Sequence, residues 1–235
     1  MNIDDIKREF PIFDDKIQNN DLVYLDSANS SQKPRVVVDR IYDFYTKEFS
    51  NVGRSVHYLA VAATNLYEQT RVSVQKYINA KDKDEIVFTK GATEAINLVA
   101  NTFGQKYLSQ GDEVLLTELE HHSNYVPWHF LRKAKNIKIE FAEINDNGEV
   151  TLEAIEKKIT NKTKIISVSH LSNVTGAILP IKEIVQLAHS KNIPVLIDGC
   201  QGAPHLKLDM QEIGCDFYAI SGHKMYGPTG IGVLY

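Results

Sequence analysis

Cysteine is scarce in this 235-residue chain. Cys200 and Cys215 are the only two, and they form neither a CxxC pair nor a disulfide framework. A reducing, cytoplasmic setting is the economical expectation. No apolar run approaches the roughly 18 residues that a membrane-spanning helix requires. The opening residues, MNIDDIKREF, are charged and lack the apolar stretch of a secretory signal. Neither sign of charge dominates. The 26 Lys and Arg against 30 Asp and Glu leave a net charge of −4, which gives nucleic acid or an anionic membrane no reason to bind. HExxH and Cys/His clusters are missing too, so no metal site is expected. Internal repeats, low-complexity tracts and Gly/Pro-rich linkers are also absent. What remains, 43% hydrophobic and 24% charged residues, describes an ordinary soluble globular protein.

The order of elements is more specific. A short helix over Asn2 to Arg8 ends before Pro11, and helical spacing returns at Val37, Ile41, Phe44 and Tyr45. After the loop from Ser50 to His57, a second stripe runs through Leu59, Ala62, Ala63 and Leu66. From residue 85 the texture changes. Strands are expected at Glu85–Thr89, Glu113–Thr117, Ile137–Ala142, Lys164–Ser169, Pro194–Asp198 and Phe217–Ile220. Helices between them are expected from Gly91 to about Leu108, and near Trp128–Lys135, Leu152–Ile159 and Ile181–Ser190. Strands alternating with helices predict an α/β fold with a mainly parallel sheet covered on both faces. The expected layout is an N-terminal helical arm, 1–80, packed on an α/β domain, 81–235, with no independent second domain.

Ligands of such sheets bind beyond the carboxyl ends of the strands. Gly91-Ala92-Thr93 follows the first strand and opens a helix, whose free N–H groups favour a phosphate. Glu120-His121-His122 follows the second; a pair of ordinary surface histidines is the bland alternative. Ser172-Asn173 follows a third. Asp198 closes a strongly apolar strand, with Gln201 three residues on. The last, Phe217–Ile220, leads into Ser221, His223 and Lys224 and then a turn rich in Gly and Pro, which suits a close approach of backbone to ligand. Arg54 and His57 are read as loop residues. A lysine able to condense with an aldehyde, a buried carboxylate, hydroxyl and helix-terminus donors for an anion, and a flat imidazole together meet the needs of pyridoxal 5′-phosphate.

At these residues the sequence resembles a known family. The runs LDSANSSQKP (25–34), GATEAINLVA (91–100), ELEHHSNYVPW (118–128), SHLSNVTG (169–176), LIDGCQGAPH (196–205) and DFYAISGHKMYGPTGIG (216–232) are similar to Suf-type, group II cysteine desulfurases of the class V aminotransferase family. The resemblance implies a fold type I large domain with a seven-stranded-type sheet. It implies that Lys224 holds the cofactor aldehyde and moves protons at the substrate, Asp198 pairs with the pyridine nitrogen and Gln201 contacts the phenolic oxygen. His121 would stack on the ring, with His122 as the other choice. Thr93, Ser221, His223 and backbone N–H groups around Ala92 would hold the phosphate, and Asn173 would sit beside ring and substrate.

The implied reaction converts L-cysteine to L-alanine and leaves sulfane sulfur as an enzyme persulfide. That sulfur would pass to an acceptor protein of the Suf system for iron–sulfur cluster assembly, from a homodimer. The resemblance places the persulfide cysteine and a carboxylate-binding arginine on a C-terminal small domain that is not in this sequence. A fragment of a longer protein, unable to turn over cysteine unaided, is therefore expected. Cys200 is expected to pack on the cofactor face opposite His121, and Cys215 to be a buried apolar residue. Asn29 and Gly53 depart from the family pattern, which has alanine and histidine there. Other class V reactions (aminotransferase, kynureninase-like, selenocysteine lyase) and an inactive binding module are the alternatives.

Overall fold

The computed structural model describes residues 2–235. It opens with α1 (Ile3–Arg8), a 3-10 turn at Pro11–Phe13, and a minimal hairpin of β1 (Lys16–Ile17) and β2 (Asn20–Asp21). Then come α2 (Arg35–Asp43), entered from Pro34, and α3 (Tyr58–Tyr77). Neither α1 nor α2 buries a residue, and α3 buries only Ala60 and Ala63.

The α/β body follows in strict alternation. It runs β3 (Val87–Thr89), α4 (Ala92–Val99), a π-helical turn, α5 (Gln105–Tyr107), β4 (Glu113–Thr117), α6 (His122–Lys135) and β5 (Lys138–Ala142). Next are α7 (Leu152–Lys158), β6 (Thr163–Ser169), α8 (Ile181–Ser190) and β7 (Val195–Asp198). The chain closes with the one-turn helices α9 (Gly202–His205) and α10 (Met210–Ile213), then β8 (Phe217–Ser221) and β9 (Gly232–Leu234). The seven strands from β3 onward form one sheet, ordered β3-β9-β8-β7-β6-β4-β5. Neighbours from β8 through β5 are parallel, and β9 runs antiparallel to both β3 and β8. A Cβ at Gly232 would lie 2.4 Å from Gly91 Cα, so only glycine lets β9 pass so close to the turn that opens α4.

The central strands are apolar almost throughout because both of their faces are covered. Val114, Leu116, Ile165 and Leu196 point into one core with Ile96, Val99 and Trp128. Leu115, Ile166, Val168 and Ile197 point into the other with Ile155, Ile184 and Ile213. Each such side chain contributes about 1.5–3 kcal/mol by leaving water. Together the two cores fix the strand register, and with it the carboxyl edge where the polar residues gather. Among the described residues, no helix is long and apolar enough to cross a membrane.

Most expected strand boundaries hold to within a residue, and two element starts move further. β3 begins at Val87 rather than Glu85, because Asp82 and Glu85 form a capping box that winds Lys83–Glu85 into a 3-10 turn. α6 begins at His122, well before Trp128: His121 caps it, and Pro127 is accommodated inside the helix. β9 pairs over Gly232–Leu234 in the sheet interior.

Candidate functional site

The carboxyl ends of the parallel strands deliver their polar residues to one edge of the sheet. A cleft of about 180 Å³ lies there, and Ala92, Thr93, His121, Asn173, Asp198, Gln201, Ser221, His223 and Lys224 all line it. The cleft thus brings together these nine residues, all of them singled out from the sequence as site candidates. His122, the other choice for the stacking ring, does not line the cleft.

Donors converge at the end of the cleft formed by α4 and β8. Ala92 N–H donates to Ser221 Oγ at 2.9 Å, and the Cys200 thiol approaches the same oxygen at 3.6 Å. With its oxygen already accepting, the Ser221 hydroxyl has its proton free to point into the cleft. The remaining N–H groups of the first turn of α4 and the Thr93 hydroxyl add to an anion-favouring surface. His223 is half-buried, and its Nδ1 meets Ser30 Oγ at 3.3 Å. Burial lowers its pKa, and Lys224 and Lys33 push the same way.

On the floor, Asp198 ends β7 only 4% exposed. Its Oδ1 accepts from Cys200 N–H at 3.0 Å. Among the described residues no donor reaches its second oxygen, and Asp198 lines the cleft, so that oxygen is available to a donor placed there. Gln201 donates through Nε2 to Ala28 O at 2.7 Å, tying the N-terminal segment to this floor. Lys224 ends the 3-10 turn that follows β8. That turn is pinned from outside, since Ser31 N–H, Ser31 Oγ and Lys33 Nζ all donate to the carbonyl of His223.

His121 Nδ1 accepts from Ser123 N–H at 3.2 Å and lies 2.8 Å from Ser123 Oγ. That arrangement leaves the ring proton on Nε2. Burial lowers its pKa, opposed by the attraction of Asp198 and reinforced by Lys224 and His122. A neutral, flat imidazole is the result, within electrostatic reach of both the carboxylate and the amine. Burial also raises the Cys200 thiol pKa, with Asp198 acting in the same direction, so the sulfur stays protonated. Cys215 is buried and pushed up to about 12. Neither is an activated nucleophile. Cys200→Ala is accordingly expected to leave cofactor retention within about two-fold of the parent, since it removes one weak donor to Ser221. Absorbance titration with pyridoxal phosphate checks this.

Beneath the floor, Tyr218 OH meets His170 Nδ1 at 2.7 Å, and both side chains are buried. A Cβ at Gly199 would fall 1.8 Å from Tyr218 Cε1, so the turn after Asp198 rests directly on that ring. Burial depresses the His170 pKa to about 4. The unfolded chain then binds a proton between pH 6.5 and about 4 that the folded chain refuses, so this contribution to stability falls as pH drops through that window. His170→Gln should therefore lose less stability than the parent between pH 7 and pH 5, by about 2 kcal/mol. Paired denaturant melts at the two pH values measure that difference, and an equal loss in both proteins would contradict it.

Two residues noted in the sequence stand away from the cleft. His57 caps α3 by accepting from Ala60 N–H, and Arg54 is exposed. Ser123, Ser169 and Leu171 line the cleft without having been anticipated. Ser169 had a signal, being the last residue of β6; Ser123 enters through the first turn of α6, and Leu171 through the loop after β6.

The sequence profile of the aminotransferase class-V family matches residues 23–235. A probable cysteine desulfurase of Halalkalibacterium halodurans is 48% identical over 235 residues, covering 100% of this chain and 58% of the relative. A cysteine desulfurase of Dickeya dadantii is 43% identical over 233 residues, covering 99% of this chain and 57% of the relative. The chain thus spans a little over half the length of these curated relatives. Among solved structures, the apo cysteine desulfurase of Thermococcus onnurineus superposes with a TM-score of 0.92 at 37% identity, covering 100% of this chain and 57% of the other. A cysteine desulfurase of Escherichia coli does so with a TM-score of 0.88 at 38% identity, covering 100% and 58%.

Proposed function

As the chain belongs to the class-V aminotransferase family, whose members depend on pyridoxal 5′-phosphate, we propose that it carries the cofactor site of a cysteine desulfurase. The reaction takes L-cysteine and an enzyme thiol to L-alanine and an enzyme persulfide. The C–S bond of the substrate breaks, the sulfur joins the thiol, and a proton replaces it on the alanine β-carbon. When bound, the cofactor supplies an electron sink for a carbanion at the substrate α-carbon.

The protein's own part is holding and proton transfer. Lys224 would hold the cofactor aldehyde and carry a proton at the substrate α-carbon. Asp198 offers its unpartnered oxygen to the pyridine N–H and keeps that proton in place. Gln201 faces the phenolic oxygen. The neutral His121 ring would stack on the pyridine. Ser221, Thr93, His223 and the α4 N-terminus hold the phosphate, and Asn173 stands beside the substrate. Cys200 fills space against the opposite ring face, and the sulfur-accepting thiol is neither Cys200 nor Cys215. The observation that carries the reading is the nearly buried Asp198 carboxylate, one oxygen lacking a protein donor, in the same cleft as Lys224.

A cytoplasmic homodimer that passes sulfur to a Suf-type acceptor for iron–sulfur assembly is the corresponding cellular role. Exposed Val36, Val38, Tyr42 and Tyr45, on and just after α2, support a covered surface there. The test is product stoichiometry: the whole protein, given L-cysteine and an acceptor thiol, should form alanine and sulfane sulfur in equal amounts. Amino transfer to a 2-oxo acid with no alanine from cysteine would sink the desulfurase reading.

A further inference from the structure

Glu120 lies immediately before His121 and does not line the cleft, yet its carboxylate is the most heavily hydrogen-bonded side chain around the site. Its Oε1 accepts from Thr117 Oγ1 at 2.7 Å and from Ser169 N–H at 3.0 Å. Its Oε2 accepts from Asn124 Nδ2 at 2.6 Å and from Ser169 Oγ at 2.8 Å. These donors come from the end of β4, the first turn of α6 and the end of β6. Asn124 is itself fixed, because its Oδ1 accepts from Ser167 Oγ at 2.5 Å. One carboxylate therefore ties two strand ends to the start of a helix whose capping residue is His121.

We propose that Glu120 is a positioning residue that holds the His121 imidazole at its fixed angle over the cleft. The path is short. Glu120 anchors the backbone on the near side of His121 to β6. Through Asn124 it anchors the far side, where Asn124 N–H and Tyr125 N–H both donate to the His121 carbonyl. With both sides held, the His121 side chain turns inward onto Ser123 and its ring has one resting orientation. An amide cannot replace the acid here. Its NH2 group would face the Ser169 N–H on one side, which can only donate, or the Asn124 NH2 on the other, which could turn round only by giving up the bond its oxygen accepts from Ser167. This rests on the cofactor reading only where the ring's target is concerned; the hold on His121 exists without it.

The experiment uses Glu120→Gln, His121→Ala and the double variant, in the 235-residue chain with and without pyridoxal phosphate. In the cofactor-free chain, histidine side-chain 15N–1H spectra should give His121 as a single Nε2–H tautomer, and Glu120→Gln should turn it into a mixture. With cofactor, the visible circular dichroism per bound chromophore reports ring orientation. Both single variants should lose most of that band while still being trapped on Lys224 by borohydride, and the double variant should lose no more than either. If Glu120→Gln fails to fold, Thr117→Val, which removes one donor outside the cleft, should show a smaller loss of the same kind. A parental tautomer and dichroic band in folded Glu120→Gln, or in Thr117→Val if that is the variant that folds, overturns the proposal. A His121 tautomer that changes with Glu120→Gln, in a chain that binds no cofactor, would leave the positioning role standing and remove the cofactor reading instead.

Discussion

Lys224→Ala is expected to reduce borohydride-trapped pyridoxal phosphate from one per chain to background, with the label on the parent confined to the peptide carrying residue 224. The amine that reacts must be in the cleft and not already engaged. Lys224 lines the cleft at the end of a turn fixed by donors from Ser30, Ser31 and Lys33 to the His223 carbonyl. Lys33 is the nearest rival, since burial lowers its pKa, which favours a reactive free amine. Its Nζ, however, donates to Ser31 O at 2.6 Å and to His223 O at 2.8 Å, and breaking two such bonds opposes attack. Turnover in the whole protein should fall further than binding, because the same amine moves the substrate proton, a role worth about 10²–10⁴-fold. A label on Lys33, or full labelling of Lys224→Ala, would mean that the lysine is misassigned.

The site was legible because chemistry and topology point the same way. Apolar runs such as Val114–Leu116 and Val195–Ile197 mark buried parallel strands, and whatever polar residue follows them must emerge at one edge. Asp198, Ser221 and the Gly91–Thr93 turn could be placed on that logic, and the resemblance supplied their roles. Illegible were the contacts that join distant parts of the chain. The ties from Ala28, Ser31 and Lys33 to Gln201 and His223 span well over a hundred residues, and no local pattern announces them. The same holds for β9, a three-residue strand between β3 and β8 whose antiparallel insertion depends on Gly232 sliding past Gly91. The start of α6 was obscured by a local conflict. Pro127 looks like a helix boundary, but it sits in the second turn of α6, where the helix runs through it at the loss of one backbone bond, the one to Ser123 O.

Asp198→Asn should separate the energetics of the fold from those of the site. The substitution is nearly isosteric, and its side-chain oxygen still accepts from Cys200 N–H, so the turn after β7 keeps its shape. Removing a charge from a residue only 4% exposed relieves a desolvation cost, so the cofactor-free chain should melt no lower than the parent. Binding should move the other way. A charge-assisted hydrogen bond to the pyridine nitrogen is worth about 1.5–3 kcal/mol. That corresponds to a loss of about 10–150-fold in cofactor affinity. In the whole protein, loss of the partner that keeps the ring protonated should lower kcat by about 10²–10³-fold, because the carbanion charge then has no acid to flow toward. Lys224 would still be trapped by borohydride at saturating cofactor, which distinguishes this variant from Lys224→Ala. Equilibrium titration of the chain and steady-state alanine formation by the whole protein measure the two effects. Parental affinity together with parental kcat would show that the carboxylate does not face the ring nitrogen, and the orientation of the cofactor in the cleft would have to be reversed.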